Sequence, residues 1–253
     1  MIICVTNLSE LAQALFVFAF IAGYNWKTLL GGIGSMPWFY YVARVIVRML
    51  FSLLTRWQVK GRENIPSQGP LLVVANHLNL ADPPLLGLSL DRKAIFMAKE
   101  ELFRSRFSAY FIGGFGSFPV HRGKVDRQAM RRAEQALTDG LVLVMFPEAT
   151  RSKSAQLQPA FPGSALIAMR YGVPVLPVGI TGTEKIKGLV WILRRPRITV
   201  NIGRPFYLPP VSSRLTKVEL AKHTDFMMQR IAELIPLQYR GNYAGKESAS
   251  GED

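Results

Sequence analysis

The sequence predicts an α/β fold, a mixed sheet flanked by helices, with membrane-associating helices at the N-terminus. Three observations carry this. After Gly61, strand-length apolar runs bounded by turn signals alternate with segments of helical spacing. The chain is apolar, with 49% hydrophobic residues and a mean hydropathy of +0.17. Its first 58 residues are two apolar segments with few charges. Its 253 residues fit one domain with an appendage, divided as 1–58 (membrane-associating helical segment), 59–240 (main domain) and 241–253 (disordered tail, Ser/Gly/acid-rich from Lys246).

Residues 1–24 are apolar but broken by Asn7, Ser9, Glu10 and Gln13. The span 11–26 is marginal for crossing a bilayer, which takes about 20 apolar residues. Gly31, Gly32, Gly34 and Pro37 then break the chain. In residues 38–57 the polar positions Arg44, Arg48, Ser52, Thr55 and Arg56 form one narrow stripe on a helix with aromatics at both ends. That pattern suits a helix lying in a membrane interface. Arginines in a core helix would need partners that the sequence does not show.

Residues 70–75 and 141–146 read as buried strands, and 93–98, 117–120 and 197–202 as further strands. Residues 126–138 and 164–170 have helical spacing, the latter ending at Gly172, and 215–235 form an amphipathic helix. Residues 173–180 form a strand that Pro174 and Pro177 should confine to an edge or an irregular position.

Composition excludes a disordered chain, which would be poor in apolar residues. A single cysteine, Cys4, excludes a disulfide framework or a thiolate metal site, and three histidines argue against a His-rich one. The net charge of +14 on an apolar chain points to an anionic apolar surface such as a membrane leaflet. A nucleic-acid binder would interleave aromatics with basic residues. Here the aromatics concentrate in the N-terminal segments, which favours the membrane.

Three clusters carry candidate chemistry. Asn76-His77-Leu78-Asn79-Leu80-Ala81-Asp82-Pro83-Pro84 follows directly on a strand. On a regular helix His77 and Asp82 would lie about 140° apart. A pair therefore needs a turn that folds the carboxylate back onto the imidazole, with a proline opening the next helix. So paired, His77 would be a general base and Asp82 would fix its tautomer. Otherwise His77 is a loop histidine and Asp82 a helix cap. Phe146-Pro147-Glu148-Ala149-Thr150-Arg151-Ser152 ends another buried strand. Arg151 there suits a phosphate, and Glu148 either aims that arginine or holds a turn amide. Pro119-Val120-His121-Arg122-Gly123-Lys124, followed by Arg127, Arg131 and Arg132, offers either a phosphate site or a basic surface.

These residues carry a resemblance. NHLNLADPP resembles the HX4D motif of the PlsC-like glycerolipid acyltransferases, the 1-acyl-sn-glycerol-3-phosphate acyltransferase family. KEELF at 99–103 leading to GSFPVHRGK resembles their second motif, FPEATRS the third and VPVLPVGITG at 173–182 the fourth, in the family's order. VKGRENIPSQGP before the first motif is also family-like. The resemblance runs from Arg56 to Pro205 and, being fourfold, favours function over the plain readings of His77, Asp82, Glu148 and Arg151.

The resemblance implies a glycerolipid-acyltransferase-like fold. It implies acyl transfer from acyl-CoA or acyl carrier protein to the sn-2 hydroxyl of lysophosphatidic acid. His77 would be catalytic with Asp82. Arg122, Glu148, Thr150, Arg151, Lys99, Lys124 and Pro177 would bind substrate. Arg151 and Arg122 would take the acceptor phosphate, Lys99 the oxyanion, and Pro177 would shape the site. No metal or cofactor is implied. The implied partners are anionic membrane lipids, a lysolipid and the acyl donor, with no nucleic acid. The implied place is the cytoplasmic face of a bacterial-type membrane, monotopic or with at most one N-terminal span. Ala149 stands where the family usually has glycine, and at positive φ an alanine would be strained. The segment 160–163 lacks a basic residue often found there, which leaves another lysolipid acceptor open.

Overall fold

The computed structural model describes residues 38–104, 117–120, 126–211 and 215–245. The segment 11–26, Arg122, Lys124 and the tail 246–253 lie outside the described residues, as does the side chain of Lys99. Among the described residues no helix is long and apolar enough to cross a membrane.

A seven-stranded sheet forms the centre, in the order β1-β7-β6-β2-β5-β3-β4. The strands are β1 Arg56–Lys60, β2 Leu71–Ala75, β3 Ala94–Lys99, β4 Ser117–Val120, β5 Val142–Met145, β6 Val175–Thr181 and β7 Arg197–Ile202. β2 to β6 are parallel, whereas β7 runs antiparallel to β6, and β1 parallel to β7. The carboxyl ends of five strands and the amino ends of β1 and β7 therefore meet at one end of the sheet. In open α/β sheets that is where ligands bind.

The helices are α1 Trp38–Leu54, α2 Asp82–Ser89, α3 Arg127–Thr138, α4 Gly163–Tyr171, α5 Val190–Arg194 and α6 Lys217–Ala232. β2 is buried at every position, because both sheet faces are covered. Leu72 and Val74 pack with α3, α4 and α6. Leu71, Val73 and Ala75 pack on the other face with Leu85 and Leu86 of α2, Trp191 of α5 and the end of α1. α6 starts in a capping box between Thr216 and Glu219.

Two boundaries differ from the sequence reading. α1 stops at Leu54, and Arg56 and Trp57 open β1 instead, held by their register with Arg197 and Ile198. That pairing joins residues about 140 apart in the chain, which no local pattern reports. The fold also continues past 240. Residues 241–243 form a 3-10 turn that buries Tyr243 in the core, so they belong to the fold and not to the tail.

Of the two alternatives for β6, the edge is excluded, since it lies between β7 and β2 in the middle of the sheet, and the irregular strand is what forms. The prolines are accommodated by a break in one ladder. Val175 bridges Phe206, and regular pairing with β7 resumes at Val178↔Ile202. Pro177, which has no N–H to give, falls in that gap. Its carbonyl still accepts from the Gly203 N–H at 2.9 Å.

α1 is turned in a way its sequence did not show. Of its polar stripe, Arg44 is half-buried, with Nη2 donating to the Leu90 carbonyl at 3.2 Å, while Arg48 is exposed, with its guanidinium 5.9 Å from the Trp57 ring centroid. Thr55, just past the helix, is buried. Val42, Val45, Ile46, Met49 and Leu53, spaced as one helical stripe, are exposed.

Candidate active site

Asn76 directly follows β2, and its buried amide clamps the strand end to β6. Its Nδ2 donates to the Ile180 carbonyl at 2.8 Å, and its Oδ1 accepts from the Ile180 N–H at 2.7 Å. His77 follows, and the chain turns into α2. Asp82 is the first residue of that helix, and Pro83 and Pro84 fill its first turn, where missing N–H groups cost nothing.

The turn folds the carboxylate back onto the imidazole. Asp82 Oδ2 lies 2.8 Å from His77 Nδ1 and also accepts from the N–H groups of Leu78 at 2.6 Å and Asn79 at 2.7 Å. Asp82 is fully buried, and its Oδ1 has no partner. Asn79 braces the turn, with Oδ1 accepting from the Ala81 N–H and Nδ2 donating to the Ile186 carbonyl at 3.1 Å. An imidazole held through Nδ1 keeps Nε2 for substrate. The His77 side chain is 12% exposed, and Nε2 has no partner among the described residues.

The FPEATRS loop leaves β5, the neighbour of β2, and wraps this pair. Phe146 stacks on the imidazole, with centroids 4.3 Å apart. The His77 N–H donates to Glu148 Oε1 at 3.1 Å, and the Ser152 N–H donates to the His77 carbonyl at 2.8 Å. Glu148 Oε2 accepts from the Gln158 N–H at 3.1 Å. Burial pushes the Glu148 carboxyl up to about 7, and Asp82 adds to the shift against the pull of those two amides. Of the two roles open to it in the sequence, Glu148 therefore holds turn amides. Arg151 is exposed, with no ion pair or hydrogen bond among the described residues.

A family model described as Acyltransferase matches residues 56–181, which hold both loops. Residues 56–181 form an acyltransferase-family domain. The chain is 30% identical over 175 residues to a 1-acyl-sn-glycerol-3-phosphate acyltransferase of Streptococcus pneumoniae, covering 68% of this chain and 64% of the relative. The chain thus spans less than two thirds of that relative's length. A 1-acyl-sn-glycerol-3-phosphate acyltransferase of Bacillus subtilis is 26% identical over 189 residues, covering 74% of this chain and 92% of the relative. The crystal structure of the 1-acyl-sn-glycerophosphate (LPA) acyltransferase PlsC from Thermotoga maritima shares the fold, with a TM-score of 0.59 and 24% identity. That match covers 94% of this chain and 90% of the other.

Within this acyltransferase-family fold the remaining predicted residues fall at different distances from the pair. Lys99 ends β3 opposite Val120, at the same end of the sheet as His77. Thr150 is exposed on the FPEATRS loop, with Oγ1 3.4 Å from Gln158 Oε1. Pro177 is three residues back from that end, in register with Val74 and packed by Gly203, so it meets the sheet rather than the imidazole.

Asn76, Asn79 and Phe146 stand in the motifs, but the sequence reading gave them no role. An amide ending an all-apolar strand was the available signal, since a buried amide must find partners. Ala149 does take the left-handed conformation, at φ 56°. Ala149→Gly is therefore expected to stabilise the fold by about 0.5–1 kcal/mol, the relief of αL strain less the added freedom of the unfolded chain. The denaturant midpoint should rise with an unchanged slope, and a fall in midpoint would contradict the strained turn.

Proposed function

We propose that the chain is a membrane-associated acyltransferase that moves an acyl group from acyl-CoA or acyl carrier protein to the sn-2 hydroxyl of lysophosphatidic acid, giving phosphatidic acid. The observation that carries the reading is the His77–Asp82 contact in a turn braced by the FPEATRS loop. The names of the relatives support the acceptor.

His77 Nε2 takes the acceptor hydroxyl proton as the oxygen attacks the thioester carbonyl. Asp82, bonded to Nδ1–H, steadies the imidazolium that forms. The tetrahedral intermediate collapses, the C–S bond breaks, and the imidazolium returns its proton to the leaving thiolate. Lys99, at the strand end beside the site, is assigned the developing oxyanion. Arg151 and Arg122 are assigned the acceptor phosphate, with Lys124 beside them. Phe146 covers one imidazole face and limits water there. The exposed apolar stripe of α1 supports a docking role for that helix, apolar side towards the lipid. No metal or cofactor is needed for these steps.

Transfer from acyl-CoA and from acyl carrier protein to a panel of lysolipids tests the reading. Phosphatidic acid formed from lysophosphatidate is the expected result, and transfer to other head groups alone would overturn the acceptor assignment. Arg151→Ala should raise KM for lysophosphatidate by about 10- to 100-fold, the worth of a charge-assisted phosphate contact, with a smaller change in kcat. A fall in kcat with KM unchanged would remove Arg151 from the phosphate.

A further inference from the structure

Beside the catalytic pair, on the β6–β7–β1 side of the same sheet end, lies a second basic feature. Arg56, Lys185, Lys187, Arg194, Arg195 and Arg197 line a cleft of about 540 Å³, with Trp191 in its wall. The topology assembles it. Arg56 and Arg197 open the antiparallel-running β1 and β7 in register with each other. Lys185 and Lys187 lie on the loop that leaves β6. Gly182, at φ 91°, lets that loop pass so close to the Arg197 carbonyl that a Cβ would overlap it.

All six cations are exposed, and none has an acidic partner among the described residues. The nearest acid in sequence, Glu184, is already engaged, accepting from the Gly182 N–H at 2.9 Å and the Tyr239 hydroxyl at 2.8 Å. Six like charges around one concavity repel each other unless an anion joins them.

The rim is apolar in the manner of an interfacial helix. Leu193 is 87% exposed, Leu189 61% and Val190 58%. Arg195 Nη2 donates to the Ser52 carbonyl at 3.3 Å, joining this rim to the end of α1, whose own apolar stripe is exposed. A soluble polyanion would use the cations and gain nothing from bare leucines. A leaflet satisfies both, with phosphates at the cations and acyl chains around the apolar tips.

We propose that this cleft binds the phosphate head group of an anionic membrane phospholipid, with Leu189, Val190 and Leu193 seated among the acyl chains beside it. This rests on the membrane-associated reading above and adds a docking element well beyond the N-terminal segment in the chain. It would set the His77 end of the sheet against the leaflet, and the Asn79–Ile186 hydrogen bond ties the cleft loop to the catalytic turn.

Sedimentation of the full chain with phosphatidylcholine vesicles, with and without phosphatidylglycerol, tests the proposal. Lys187→Ala/Arg194→Ala should lower partitioning onto the phosphatidylglycerol vesicles by about tenfold or more, and leave phosphatidylcholine binding unchanged. Arg127→Ala/Arg131→Ala removes the same charge from exposed positions of α3 on the opposite face, and should cost no more than about twofold. Leu193→Ser should weaken binding to both vesicles. An equal loss in the two double variants would overturn the proposal. So would intact vesicle binding with a raised KM for acyl-CoA, which would give the cleft to the donor. His77→Ala should sediment like the parent chain, so failure of the proposed reaction and failure of the cleft are read separately.

Discussion

Alanine at His77 is expected to lower kcat for acyl transfer by about 10²–10⁴-fold, the usual contribution of a positioned general base. The change removes the one imidazole that Asp82 holds by Nδ1 at 2.8 Å, and no other described side chain stands in that place. It should leave the fold standing, because the backbone of His77 does the bracing. Its N–H serves Glu148 and its carbonyl serves Ser152, and an alanine keeps both. The stack on Phe146 is lost, so a small drop in melting temperature should accompany the loss of rate. Steady-state rates with lysophosphatidate, taken beside a thermal melt, separate the two effects. A variant that kept more than about a tenth of the parent rate would rule out His77 as the base.

The site was legible where chemistry and chain order coincide. An all-apolar run of strand length ending in Asn76-His77 marked both β2 and the start of the catalytic turn. The second such run, ending in Phe146-Pro147-Glu148, marked β5. Their adjacency was not legible, because register between Val74 and Met145 is set by packing across the sheet rather than by either segment. The same limit hid β1, whose side chains alternate only between half-buried and exposed and so lack a strong pattern. For β6 it left an edge and an irregular strand both open. Proline rules describe a missing donor, and only the fold shows that a break in pairing between Val175 and Val178 removes the demand for one. α1 shows the converse. Arg44, Arg48 and Ser52 do share one side of the helix, but the Leu90 carbonyl and the Trp57 ring that Arg44 and Arg48 meet are brought there only by the fold.

Asp82 is the second position where a one-atom change should have a large effect, and its two oxygens make the outcome specific. Oδ2 takes three donors, while Oδ1 is buried without a partner. In Asp82→Asn the amide must turn its remaining oxygen to those donors, since an NH₂ there would face the Leu78 and Asn79 N–H groups. Its NH₂ then sits buried with no acceptor, a cost of about 1–3 kcal/mol in stability. The geometry of His77 survives, but a neutral amide no longer stabilises the imidazolium. We expect kcat to fall by about 10³-fold, close to the effect of removing the base, with KM for the lysolipid little changed. Asp82→Ala should lose as much rate and more stability, because it leaves the N–H groups of Leu78 and Asn79 without their acceptor at the start of α2. The comparison discriminates between roles. If Asp82 only shaped the turn, the asparagine variant, which keeps an acceptor in place, would retain most of the activity that alanine loses. If it also carries the charge opposite the imidazolium, the two variants will be equally slow and differ only in their melting temperatures.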